Sequence, residues 1–117
     1  MTKLLISSLL FAAASQADII KCNFTEPFVN STYSMTQSTL SYVNADGKKQ
    51  VVKNVSFQIK SPSLFELVSK DGKVLQTLNL NNQGSDGMSD RLYPYDAKDN
   101  SLITHQGYGG CESNYLK

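Results

Sequence analysis

One stretch of this chain concentrates side chains able to do chemistry: Gly84-Ser85-Asp86-Gly87-Met88-Ser89-Asp90-Arg91-Leu92-Tyr93-Pro94-Tyr95. It carries the only arginine and two of the six tyrosines. Asp86 and Asp90 lie four positions apart, with Ser85 and Ser89 beside them. Such oxygens could hold a hard cation, since calcium takes several oxygen ligands from loops. The spacing is not that of the twelve-residue helix–loop–helix site, and no glutamate closes it. The alternative is structural: Asp and Ser side chains accept from backbone amides and hold a turn. Arg91 offers a planar fork suited to a carboxylate. Its expected partner is Glu26, in Thr25-Glu26-Pro27-Phe28, or an aspartate of its own loop. Tyr93, Tyr95 and Tyr108 could form an aromatic platform for a sugar ring or a protein partner. They could equally be core residues. His105 is the only histidine, a poor signal for zinc. A hydrolase using His105 stays open as an alternative. No nucleophile elbow, paired carboxylates or phosphate loop supports it. No catalytic residue, cofactor or metal ligand is assigned.

The elements that must position these groups are strands. Val55-Ser56-Phe57-Gln58-Ile59-Lys60 alternates apolar and polar residues, the pattern of a half-buried strand. Leu40-Ser41-Tyr42 and Leu78-Asn79-Leu80-Asn81 repeat it. Asp46-Gly47 and Asp71-Gly72 mark hairpin turns, because both residue types tolerate positive φ. Ser61-Pro62 breaks a run, since proline cannot donate to a ladder. Strands are expected near 19–24, 28–35, 38–44, 50–60, 64–69, 73–81 and 101–106. Residues 81–99 are expected to form a long functional or mobile loop. The fold class is all-β: a small antiparallel barrel or closed sandwich of about seven or eight strands.

The N-terminus reads as a secretory leader. Lys3 precedes an apolar run, and Ser15-Gln16-Ala17 places small residues where a signal peptidase cuts. The domain reading is therefore a signal peptide at 1–17 and one all-β domain at 18–117. The apolar run is shorter than the roughly 20 residues of a spanning helix. Lys21 directly before Cys22 spoils a lipoprotein signal. Past the leader, ten basic residues balance ten acidic ones. This argues against nucleic acid or an anionic membrane as partner. Cys22 and Cys111 form an even pair, read first as a disulfide in an oxidising compartment. Closing a loop of that length contributes about 4–5 kcal/mol in the chain-entropy view.

Together these motifs resemble an uncharacterised family of small bacterial envelope proteins. Cys22, Thr25, Glu26, Pro27 and Phe28 match a Cys-x-Gly-Thr-Glu-Pro-Phe-Trp segment. Ser85 through Asp90, with Tyr93 and Pro94, match a Cys-Ser-Asp-Gly-Met-Ser-Asp segment followed by Tyr-Pro. Gly110 and Cys111 match a final Gly-Cys. Phe24, Val29 and Gly84 depart from the pattern, standing for its glycine, tryptophan and second cysteine. The resemblance implies a soluble periplasmic or extracellular protein and brings no activity. The leading expectation is a non-enzymatic binding or structural module, with an envelope protein or glycan as partner. Its candidate surface or structural clasp comprises Glu26, Ser85, Asp86, Ser89, Asp90, Arg91 and Tyr93. The alternative is an inhibitor of a cell-wall-degrading enzyme, a lysozyme-inhibitor-like barrel that inserts Arg91 or Ser89 into a carboxylate-lined cleft.

Overall fold

The computed structural model describes residues 19–25, 28–101 and 107–114. Among them are nine strands: β1 (Ile19–Thr25), β2 (Val29–Ser34), β3 (Thr39–Asn44), β4 (Lys49–Val52), β5 (Ser56–Ser61), β6 (Leu64–Val68), β7 (Val74–Gly84), β8 (Tyr93–Asp99) and β9 (Gly107–Ser113). They form one antiparallel sheet in the order β4-β3-β2-β1-β9-β8-β7-β6-β5, curled into a half-barrel. The all-β, antiparallel expectation holds, with nine strands in place of seven or eight.

Each neighbour in the sheet is a neighbour in sequence except at one join, where β1 pairs with β9. The chain is thus a meander whose ends meet. In that ladder Cys22 lies directly opposite Cys111, and the two form a disulfide with Cα atoms 4.1 Å apart.

The sheet is open between β4 and β5, which are consecutive in sequence. With nine alternating strands, the two edge strands run in the same direction. Side-by-side parallel strands need a crossover of about a dozen residues, and only Lys53-Asn54-Val55 joins these two. β5 therefore continues β4. They are two halves of one interrupted strand, the first paired to β3 and the second to β6. The expected single strand at 50–60 is this pair. The interruption falls at Asn54, whose φ is 61°, a conformation asparagine tolerates better than most residues. Val55 turns inward there and is fully buried. Its N–H donates to Ser38 O (2.9 Å) and its carbonyl accepts from Tyr33 Oη (2.7 Å).

Both Asp-Gly turns form as expected. Gly47 and Gly72 have φ of 81° and 90°. Gly47 N–H donates to Asn44 O and Gly72 N–H to Ser69 O. Each hairpin is closed by a short polar side chain, Asn44 Oδ1 accepting from Lys48 N and Ser69 Oγ from Lys73 N.

The inner face buries Ile20, Phe24, Tyr33, Leu40, Leu67, Leu78 and Tyr95. Phe65 stacks on Phe57 and meets Tyr95 edge-on, with centroids 5.6 and 6.0 Å apart. β5 departs from its expected half-burial. Phe57 is only half-buried and Ile59 is 63% exposed, because an edge strand has a neighbour on one side only. The expected loop at 81–99 is mostly strand, made of the end of β7 and all of β8. The last strand is β9; the stretch expected at 101–106 lies outside the described residues save Ser101.

Candidate functional site

Two clusters of polar side chains emerge, one on each face of the sheet.

The outer cluster is built by the loop between β7 and β8. Asn82, with a φ of 57°, and a register shift between Leu80 and Gly84 bend the end of β7 out of its ladder. At Gly84 a Cβ would collide with the carbonyl of Tyr95, so a cysteine could not stand there without a backbone shift. The loop then folds over the outer face of β9 and β1. Asp86 is buried. Its Oδ1 accepts from Met88 N (2.9 Å) and Ser89 N (2.8 Å). Its Oδ2 accepts from Ser89 Oγ (2.9 Å) and Tyr93 Oη (3.1 Å). The backbone amides of Met88 and Ser89 come first in holding its pKa down at about 2, since hydrogen bonds to the charged form favour it. Ser85 Oγ accepts from Gly87 N. Gly87 has a φ of 75°, and a Cβ on it would lie 2.5 Å from Thr25 Oγ1. The loop therefore seats directly on the end of β1.

Tyr93 is the centre of this arrangement. Its ring covers Gly110, whose missing side chain makes the room: a Cβ there would come within 2.6 Å of the ring. Asn23 Nδ2 on β1 donates to the Tyr93 hydroxyl at 3.0 Å. Arg91 lies over the ring as well, 4.3 Å from its centroid, and its Nη2 meets Glu112 Oε1 at 3.0 Å. The tyrosine ring thus joins the loop guanidinium to a glycine of β9 and an asparagine of β1.

The candidate residues divide accordingly. Ser85, Asp86, Ser89, Arg91 and Tyr93 are brought together, and Asp90 is exposed at the loop surface. Glu26 and His105 lie outside the described residues. The carboxylate on Arg91 is Glu112, a residue no sequence motif singles out. The hydrogen bonds of Asp86 are those of the turn-holding alternative. Among the described residues no three His, Cys, Asp or Glu side chains gather to hold a metal ion. The tyrosines do not form one platform: Tyr95 is in the core, Tyr93 is buried beneath Arg91, and Tyr108 is 56% exposed.

The inner cluster corresponds to no motif in the sequence. Asp99, at the end of β8, is fully buried. Its Oδ2 accepts from Tyr42 Oη (2.7 Å) on β3 and Gln76 Nε2 (2.8 Å) on β7. Its Oδ1 accepts from Ser101 N (2.8 Å) and Ser101 Oγ (2.6 Å). Gln76 Nε2 also reaches Ser31 Oγ on β2 at 3.0 Å. Cys22 Sγ packs 3.9 Å from Gln76 Oε1; a disulfide sulfur carries no proton, so this is a contact and not a hydrogen bond. Burial first, then the Asp99 carboxylate, pushes the Tyr42 hydroxyl well above its ordinary pKa.

Above this network the half-barrel opens. A cavity of about 490 Å³ is lined by Val29, Tyr42, Asn44, Lys48, Lys49, Gln50, Val52 and Ser101. It exists because β4 has no strand on its second side. Tyr42 and Ser101, whose hydroxyl oxygens lie 3.0 Å apart, form its polar floor. Val29 and Val52 supply apolar wall, and Asn44, Gln50 and the two lysines supply polar groups.

The chain matches no protein-family model, no curated protein and no solved structure.

Proposed function

We propose that this protein is a non-enzymatic binding module of the bacterial envelope that takes a small ligand in the open end of its half-barrel. The observation that carries this reading is the cavity above the Tyr42–Asp99–Ser101 floor. Its volume falls in the roughly 300–1,000 Å³ range of ligand pockets, and it combines apolar wall with a few convergent polar groups. The floor is pre-organised, because each of its polar groups is held by another.

The same bonds weigh against catalysis at this site. A carboxylate offers about four lone-pair positions. Asp99 fills three of them with Tyr42, Gln76 and Ser101 N, and the single Ser101 hydroxyl proton is shared between the fourth and Tyr42 Oη, which leaves little of the carboxylate to act as a base. The outer loop is comparably committed. Ser89 and Arg91, the groups an inhibitor would insert into an enzyme cleft, are tied to Asp86 and Glu112.

Export through the leader at 1–17 accords with the disulfide, which persists in oxidising compartments. No helix among the described residues is long and apolar enough to cross a membrane.

The test is a two-dimensional NMR titration of the protein, freed of its leader, against a library of small amphipathic compounds. Shifts at Tyr42, Asn44, Gln50 and Ser101 are expected. Shifts confined to 85–92, or none at millimolar ligand, would overturn the reading.

A further inference from the structure

The charge around the cavity narrows the chemistry of what enters it. Lys48 and Lys49 both line it, and among the described residues neither belongs to an ion pair. The other cations with close carboxylates are placed elsewhere: Arg91 on Glu112 and Lys60 on Glu66. Among the described residues, Asp46 is an acidic group that sits in the exposed β3–β4 turn, outside the lining. Asp99 lies beneath the floor, shielded by its donors.

We propose that the cavity takes a small organic anion, an acid group carried on a short apolar body. The proposal rests on the binding-module reading above and adds the sign and orientation of the ligand. The acid group sits outward, against the ammonium groups of Lys48 and Lys49. The body points inward, along Val29, Val52 and the ring of Tyr42. The reverse orientation would bring the acid toward the buried charge of Asp99, and like charges in a poorly solvated site repel strongly.

The test compares three probes of matched length, hexanoate, hexanamide and hexylammonium, by calorimetry and NMR at low ionic strength. Hexanoate is expected to bind about tenfold more tightly than hexanamide, as two partly exposed ion pairs provide. Hexylammonium is expected to bind weakest. High salt should shrink the preference, because screening shortens to about 3 Å at 1 M. In a Lys48→Gln/Lys49→Gln variant hexanoate should fall to the affinity of hexanamide, with hexanamide unchanged. Equal binding of hexanoate and hexanamide to the unaltered protein would overturn the anion proposal and leave the cavity reading standing. So would a preference that survives the double substitution. Binding of none of the three at millimolar concentration would overturn both.

Discussion

The two polar clusters use similar parts to different ends. On the outer face Asp86 is held by amides two and three residues ahead of it, and only its bond from Tyr93 reaches further, by seven. On the inner face Asp99 is held by Tyr42, 57 positions away, and by Gln76, 23 away. The first carboxylate organises its own loop and then pins that loop to the sheet. The second ties β3, β7 and β8 together across the interior, and through Gln76 reaches β2. An aspartate with four donors is therefore not one kind of feature. Its sequence range decides whether its loss is felt locally or through the whole fold.

The sharpest way to break the comparison is to remove each carboxylate in turn. Asp99→Ala should cost about 3 kcal/mol or more, since it takes the carboxylate from the buried donors of Tyr42 and Gln76. Denaturant unfolding measures this, and amide exchange should accelerate throughout the sheet. Asp86→Ala should cost less, with faster exchange confined to 84–93. Equal global effects would dissolve the distinction.

The second test uses pH, because the clusters titrate at opposite ends. The folded pKa of Asp86 is depressed to about 2, below the roughly 3.9 of an unfolded aspartate. Its contribution is full above about pH 4 and is lost as pH falls through 2. Tyr42 is raised above the ordinary tyrosine value of about 10. Its contribution is full below about pH 10 and is lost as pH rises through its folded pKa. As pH falls toward 2 the Met88 and Ser89 amides should shift, and Asp86→Asn should abolish that step. Alkali should lower the global unfolding midpoint, and Tyr42→Phe should flatten that slope in part, since Tyr33 and Tyr95 are raised in the same direction.

The smallest effect is expected at Arg91→Lys. The arginine is 52% exposed, where ion pairs contribute little. The expected result is a melting temperature nearly unchanged, with a larger Tyr93 chemical-shift change from loss of the stacked guanidinium. A large drop in melting temperature would promote Arg91 from a cover to a structural tie.

Much of the outer cluster is legible in the sequence. Ser, Asp and Gly within a few residues specify a turn by local hydrogen bonding, and a lone arginine in such a loop signals an ion pair. The partner is not legible, because Glu112 and Glu26 are equivalent as carboxylates; only the β1–β9 ladder brings Glu112 under the loop. β8 escapes a reading by pattern although Tyr93, Tyr95, Ala97 and Asp99 alternate and are all buried. Pro94 and three charged residues hide the period. β9 escapes because its glycines carry no β preference, yet Gly110 is required by the ring lying on it.

Sequence by itself determined the all-β class, both Asp-Gly turns, the cysteine pair and the self-bonded loop. Each is local chemistry or simple parity: side chains within four residues of one another, or two cysteines with only each other to pair with. Tertiary structure alone decided the inner network and the cavity above it. Ser31, Tyr42, Gln76, Asp99 and Ser101 share no motif. They meet because the sheet curls, its termini pair, and one strand breaks at Asn54, leaving β4 with an unfilled side. Contacts set by curvature across the interior depend on the register of every strand between them, and no local pattern records that.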